Sequence, residues 1–336
     1  MRIAIVGAGA AGAAAAYGCR DAEVVVFEAA DRVGGRVASR ERDGAAHDHG
    51  AGYLKRKDPR VERLLDDVLD EDGRVEITDP VWTFDAAGTI ASGDGSRAPK
   101  LSFESGIDAL VERLLDRSGA TVETGTPVGS VAATDDGPAV RDGSGDDLGT
   151  FDAVVLTPPA PLTAELLPDD GPLGDLAEAC RGVSYRPLVA VMLGYEFDFD
   201  PPWFALVNAD RGHDCTWVAR ESAKPGHGAG DTVLAAQFSP EWTRERDDDP
   251  DDEVTAAAAE AVAALVGDDR LADPSWGERR TWEHALPNGA ADADAVEAAE
   301  EAGVYCAGDW VAGEGRVHRA LRSGLDAADR VQGGST

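Results

Sequence analysis

Apolar residues cluster over Arg2–Val6, recur at close spacing across about Ala10–Gly18, and return as a continuous run at 24–27. With a glycine turn between the first two segments, the opening reads as strand, helix, strand, a βαβ unit. A second helix is predicted over 59–69, with Val61, Leu64, Leu65 and Val68 on one stripe. Residues 73–100 read as short strands and turns rich in Gly, Asp and Ser. A helix is predicted over 107–115, alternating segments over 121–133 and a strand over 151–157. From about 160 to 290 the texture changes. Segments 188–193, 216–218 and Thr232–Phe238 read as strands of a second sheet, and 254–266 as an alanine-rich helix. The acidic run 247–253 precedes that helix, where negative charge suits an N-terminus, and is read as a solvated loop rather than a calcium site. Residues 303–330 return to a buried strand, Val304–Cys306, then a glycine loop and a helix, which would complete the N-terminal unit and make it discontinuous.

Length and composition permit two domains, since 336 residues with 43% hydrophobic content build a real core. No apolar stretch approaches the ~20 residues of a membrane span. The chain opens directly on a strand without a basic leader, so a cytoplasmic protein is expected. Cys19, Cys180, Cys215 and Cys306 stand far apart and read as buried single thiols rather than a metal or disulfide framework.

Charge changes the picture more. Asp and Glu number 64 against 31 Lys and Arg, a net −33, and only Lys55, Lys57, Lys100 and Lys224 are lysines. Such a chain repels itself at low ionic strength, whereas at molar salt the Debye length falls to ~3 Å. The composition resembles that of proteins from halophilic archaea with a salty cytoplasm. It argues against nucleic acid or an anionic membrane as partner and leaves a small-molecule substrate.

Gly7-Ala8-Gly9-Ala10-Ala11-Gly12 fits G-x-G-x-x-G between a strand and a helix. Its glycines permit a tight turn and let backbone N–H groups approach a pyrophosphate at the helix N-terminus. Glu28 ends the second strand, where a carboxylate would bond a ribose hydroxyl. These residues leave NAD and FAD open. The segment Glu28-Ala29-Ala30-Asp31 leading into Arg32-Val33-Gly34-Gly35-Arg36-Val37-Ala38-Ser39 resembles the FAD-binding segment of the flavin amine oxidase superfamily. That resemblance implies paired glycines against the pyrophosphate, with Arg36 facing it. Asp48-His49-Gly50-Ala51-Gly52-Tyr53 is similar to the superfamily's turn beside the isoalloxazine. A metal reading of His47-Asp48-His49 lacks a third local ligand, so no metal is expected. Val128, in Thr126-Pro127-Val128, resembles the adenine contact. Residues 152–157 with Pro158 and Pro159 resemble the strand and proline turn that cross between domains.

Gly308-Asp309-Trp310 followed by Gly313-Glu314-Gly315-Arg316-Val317 is similar to the family's terminal motif. It implies Asp309 on the ribityl chain and a helix, opened by Arg316 and Val317, aimed at the flavin. The short length and local strings, among them Trp217 to Gly226 and Trp282-x-His284-Ala285-x-Pro287, resemble the renalase-like branch. Arg316 stands where amine oxidases proper place an aromatic cage wall, which favours an anionic or polar substrate. Lys224, Trp282 and His284 are weaker pocket candidates, set against a loop residue and a core pair. Lys55 and Lys57, beside the flavin turn, are set against a solvated loop and an attractor for a dinucleotide.

The resemblance implies an α/β fold of the FAD/NAD(P)-binding, glutathione-reductase-like type. Its Rossmann-type domain would take 1–75, 100–160 and 295–334, and a mostly antiparallel substrate domain 76–99 and 161–294. FAD is expected to be non-covalent, with a hydride accepted from a dihydronicotinamide-type substrate and electrons passed to O2. A flavin amine oxidase or carotenoid-desaturase-like enzyme is the alternative. A dissociation-inhibitor-like protein without redox chemistry is the other class.

Overall fold

A computed structural model describes residues 1–68, 72–93, 99–228 and 232–333. Residues 69–71, 94–98, 229–231 and 334, which fall within the segments expected from the sequence, lie outside them.

The apolar runs of the sequence become a five-stranded parallel sheet in the order Thr121–Glu123, Glu23–Phe27, Arg2–Val6, Ala153–Leu156, Val304–Cys306. Alternate residues serve two cores, as the period of a strand requires. Ile3 and Ile5 face the helices Ala10–Gly18, Ala109–Ser118 and Val317–Gly333. Ala4 and Val6 face an antiparallel sheet of Val128–Ala132, Ala139–Asp142 and Asp147–Thr150, together with helix Gly171–Arg181. Helix Pro59–Val68 buries Val61, Leu64 and Leu65 against the first core, each worth ~1.5–3 kcal/mol of apolar burial.

The second sheet has seven strands in the order Trp276–Pro287, Tyr185–Tyr195, Thr232–Phe238, Cys215–Arg220, Ala205–Asn208, Val81–Phe84, Ile90–Ala91. Pairing is antiparallel except between Ala205–Asn208 and Val81–Phe84. Helix Asp251–Val266 covers one face through Val254, Ala258 and Val262. A small sheet of Leu54–Lys55, Lys100–Phe103 and Arg74–Ile77 bridges the two regions.

Several bounds differ from expectation for local reasons. The helix expected at 107–115 is Ala109–Ser118, because the Ile107 N–H donates to Asp48 Oδ1 and Gly119, at φ 67°, closes the other end. Asp251, Asp252 and Glu253 form the first turn of their helix rather than a loop before it. Helix Gly171–Arg181 packs with the parallel-sheet core. We therefore propose that the chain crosses into the substrate domain at Tyr185–Tyr195 rather than near residue 160.

Candidate active site

The C-terminal ends of the parallel strands open on a cavity of about 1380 Å³ that continues across the seven-stranded sheet. Ordinary ligand pockets enclose ~300–1,000 Å³, so this one has room for a dinucleotide and a second molecule. The C-terminal edge of an open α/β sheet is also where such folds bind ligands.

Gly7, Gly9, Ala10 and Ala11 line its floor. Gly12 does not; a Cβ there would collide with the Gly7 carbonyl oxygen, so its bareness lets the helix start tight against the turn. Gly324 plays a matching part, since a Cβ would strike the Ala11 carbonyl of the neighbouring helix. The close helix contact brings two first turns, at Ala10 and Val317, to one cavity. Both present the positive end of a helix.

Glu28 Oε2 accepts the Ala8 N–H at 2.7 Å and Oε1 the Ala30 N–H at 3.0 Å, fixing the carboxylate beside Ala29 at the cavity wall. Gly34 and Gly35 line the cavity next to them. A Cβ on Gly9 or Gly35 would meet only backbone 3.8 or 3.6 Å away. This cradle of bare backbone, a ribose-ready carboxylate and helix ends fits the FAD that the sequence implies. Val128 lines the same end from the three-stranded sheet.

Arg36 and Asp309, given separate jobs by the sequence, form a bidentate pair with both N···O distances 2.8 Å. Arg36 Nη1 also donates to the carbonyls of His284 at 3.3 Å and Ala285 at 3.1 Å. Both partners line the cavity with Gly308 and Val317, so the pair ties the first segment to the last. Arg316 also lines it, with a side chain 54% exposed and Nε 3.7 Å from Glu314 Oε1.

Gly50, Ala51, Gly52 and Tyr53 line the opposite wall. Their turn is held by Ala51 N–H to Arg36 O at 3.0 Å and by Gln237 Nε2 to Gly50 O at 3.2 Å. Trp282 and His284 line the cavity as well. Trp282 stacks on His49 at 5.7 Å and donates to its carbonyl. His49 is buried with no partner on either ring nitrogen, and burial together with Arg40 pushes its pKa down to about 4, so it is neutral.

Lys224 requires a correction. It does not line the cavity; it is 1% exposed beneath the turn, against Gly52. Its Nζ donates to Asp48 Oδ2 at 2.8 Å and Glu221 Oε1 at 2.7 Å. Asp48 also accepts from Ser39 Oγ at 2.6 Å, and Glu221 accepts the Asp48 N–H at 2.9 Å. His227 faces Glu221 Oε2 through Nδ1 at 3.0 Å and the Phe103 carbonyl through Nε2 at 2.9 Å. Two acceptors satisfy the ring only if both nitrogens carry protons. Burial opposes that charge, but the hydrogen bond and charge of Glu221 hold the His227 pKa above its ordinary value. Burial likewise opposes the Lys224 charge, and Asp48 and Glu221 raise its pKa regardless. Asp48, Glu221 and His227 converge as metal ligands would, yet the ammonium already supplies the cation between the carboxylates. His47 and His49 turn away from Asp48, His47 toward Glu278 at 3.5 Å.

Gln237, Thr83 and Lys100, to which sequence reasoning gives no site role, line the substrate-side wall together with Trp217, which enters the sequence reading only as the start of a resembling string. Trp217 lies 6.0 Å from Tyr53, ring to ring. The only sequence signal of Gln237, Thr83 and Lys100 is alternation on strands whose inner face the sequence leaves unassigned. None of the four cysteines lines the cavity, and all are buried.

Among the described residues no helix is long and apolar enough to cross a membrane. Residues 80–332 match the family model described as flavin containing amine oxidoreductase, and 5–68 match an NAD(P)-binding Rossmann-like domain. Protoporphyrinogen oxidase 2 of Arabidopsis thaliana, chloroplastic/mitochondrial, is 46% identical over 69 residues, which is 20% of this chain and 14% of that protein. A provisionally named protoporphyrinogen oxidase from Exiguobacterium sp. 255-15 superposes with TM-score 0.80 at 17% identity over 99% of both chains. Wild-type putrescine oxidase bound to putrescine gives 0.77 at 17% over 99% of both. The family match spans most of the sequence and takes in Trp217, Gln237, Trp282, Asp309 and Val317 of the cavity: the chain belongs to the flavin-containing amine oxidoreductase family and is an FAD-dependent oxidoreductase.

Proposed function

We propose that this flavoenzyme is renalase-like, taking a hydride from a dihydronicotinamide-type substrate and delivering the electron pair to O2 as peroxide. The observation that carries the reading is the cationic character of the cavity's substrate side, where Lys55, Lys100 and Arg316 stand. Bound FAD, held non-covalently, would supply the hydride acceptor and the route to O2. The protein's share is to orient and enclose. The Gly50–Tyr53 turn and the helix opening at Val317 form one wall, and Trp217, Gln237 and Trp282 the other. Tyr53 is raised in pKa by burial, so its hydroxyl stays protonated. Hydride transfer needs no general base, and the substrate-side wall described above contains none arranged as a triad.

Amine oxidation is the second reading, favoured by the paired rings of Tyr53 and Trp217 and by the likeness to putrescine oxidase. Against it, the Lys55 ammonium already lies 5.7 Å above the Tyr53 ring, where an amine cation would sit. The test is peroxide formation with dihydronicotinamide dinucleotides, monoamines and polyamines as electron donors. Turnover with the dinucleotides alone supports the proposal, and turnover with amines alone replaces it. Arg316→Phe should lower dinucleotide turnover more than it lowers FAD affinity.

A further inference from the structure

Lys55 and Lys100 are direct cross-strand partners on Leu54–Lys55 and Lys100–Phe103. Residues opposed in this way share a face, and like charges there destabilise the sheet. Both line the large cavity, and Lys100 is only 6% exposed. Among the described residues neither has an ion-pair partner, although the chain carries 64 acidic residues. The acid that acts on Lys100, Asp79, is committed to Arg220 at 2.6 Å. Lys57 and Arg316 add positive charge around Lys55, with Glu314 the opposing acid there. Burial lowers the pKa of both lysines, as expected of cations held out of water without a counter-charge. A chain with four lysines that places two face to face in a cavity wall gains nothing in stability from the arrangement.

We infer that Lys55 and Lys100 form a clamp for an anionic oxygen group of the substrate, a phosphate or a carboxylate, with Lys100 its principal donor. The inference rests on reading this cavity as the substrate chamber. It assigns a specificity role to a residue that no motif marks.

The test titrates the FAD-loaded protein, at fixed high KCl, with inorganic pyrophosphate and separately with benzoate, following the flavin spectrum. Saturable perturbation by at least one anion is expected, and the stronger of the two arms identifies phosphate or carboxylate as the group recognised. Lys100→Met should weaken that binding at least tenfold and Lys55→Met several-fold. Arg181→Met, which makes the same change in net charge on a distant helix, should leave it unchanged. Melting of Lys100→Met should not fall, because a buried repulsion is removed; if that variant fails to fold, Lys55→Met carries the test. No saturable perturbation in the wild type, or equal binding by both lysine variants, overturns the clamp. If dihydronicotinamides reduce wild type and Lys100→Met equally, the clamp falls and the functional reading stands. Anion binding through Lys100 without reduction by any dihydronicotinamide gives the reverse result.

Discussion

The dinucleotide cradle and the wall facing it are built on different principles. The cradle uses bare backbone and one carboxylate, gathered mostly within residues 7–36. The facing wall uses side chains from strands as far apart as Thr83, Trp217, Gln237 and Trp282, and the Gly50–Tyr53 turn beside them is propped from beneath by the ion network around Lys224. A common cofactor is recognised by a local backbone shape that many sequences share, so its motif is short and repeated. A particular substrate is recognised by side chains that only the tertiary fold brings together. Substitutions on the two sides should therefore fail differently.

The largest effect is expected at Lys224. Lys224→Met leaves Asp48 and Glu221 buried without their cation, and removing one partner of a buried pair costs ~3–5 kcal/mol. Denaturant unfolding should show that loss together with looser flavin binding, since the network lies under Gly52. A change below ~1 kcal/mol would mean that water enters and replaces the ammonium.

Next comes Asp309. Asp309→Ala should weaken FAD retention by ~1.5–3 kcal/mol if it makes one charge-assisted hydrogen bond. Because it is paired with Arg36, Arg36→Ala should overlap with it in a double-mutant cycle. Full additivity, read from equilibrium dialysis of the flavin, would show that the two act on FAD separately.

Salt should act on the surface rather than on either wall. Thermal melts should climb from ~0.1 to ~3 M KCl as the charge of −33 is screened. A flat curve would remove the salt-adaptation reading.

The smallest effect is in pH. His227 has a folded pKa above its unfolded one, with Glu221, Lys224 and Asp48 facing it. Its contribution is complete below the unfolded value of ~6.5 and fades as pH rises through the folded value. Stability measured across that window should decline in the wild type and flatten in His227→Gln. An unchanged slope would show that the ring is neutral in the fold.

The sequence made the parallel sheet legible because its strands are continuous apolar runs tied to a glycine motif. Trp276–Pro287 was not seen as a strand, because Glu278, Arg279, Arg280 and Glu283 break its apolar pattern while the backbone pairs along Tyr185–Tyr195. The hairpin of Ser39–Arg42 and Ala45–Asp48 had a usable signal, Asp43-Gly44, at φ 52° and 81°. Lys224 was noticed as a rare lysine, but its partners Asp48 and Glu221 lie 176 and 3 residues away. No local rule predicts a pairing over the longer separation. Lys100 carried no motif; its cross-strand opposition to Lys55 exists only once the strands are in register.

The most direct test is anaerobic mixing of the purified flavoprotein with isomeric dihydronicotinamide dinucleotides, ordinary NADH and a set of amines, following flavin bleaching. Fast bleaching by the isomeric dinucleotides, slower bleaching by NADH and none by amines is expected. Fast bleaching by an amine, with no response to any dihydronicotinamide, would contradict the proposed function and leave amine oxidation in its place.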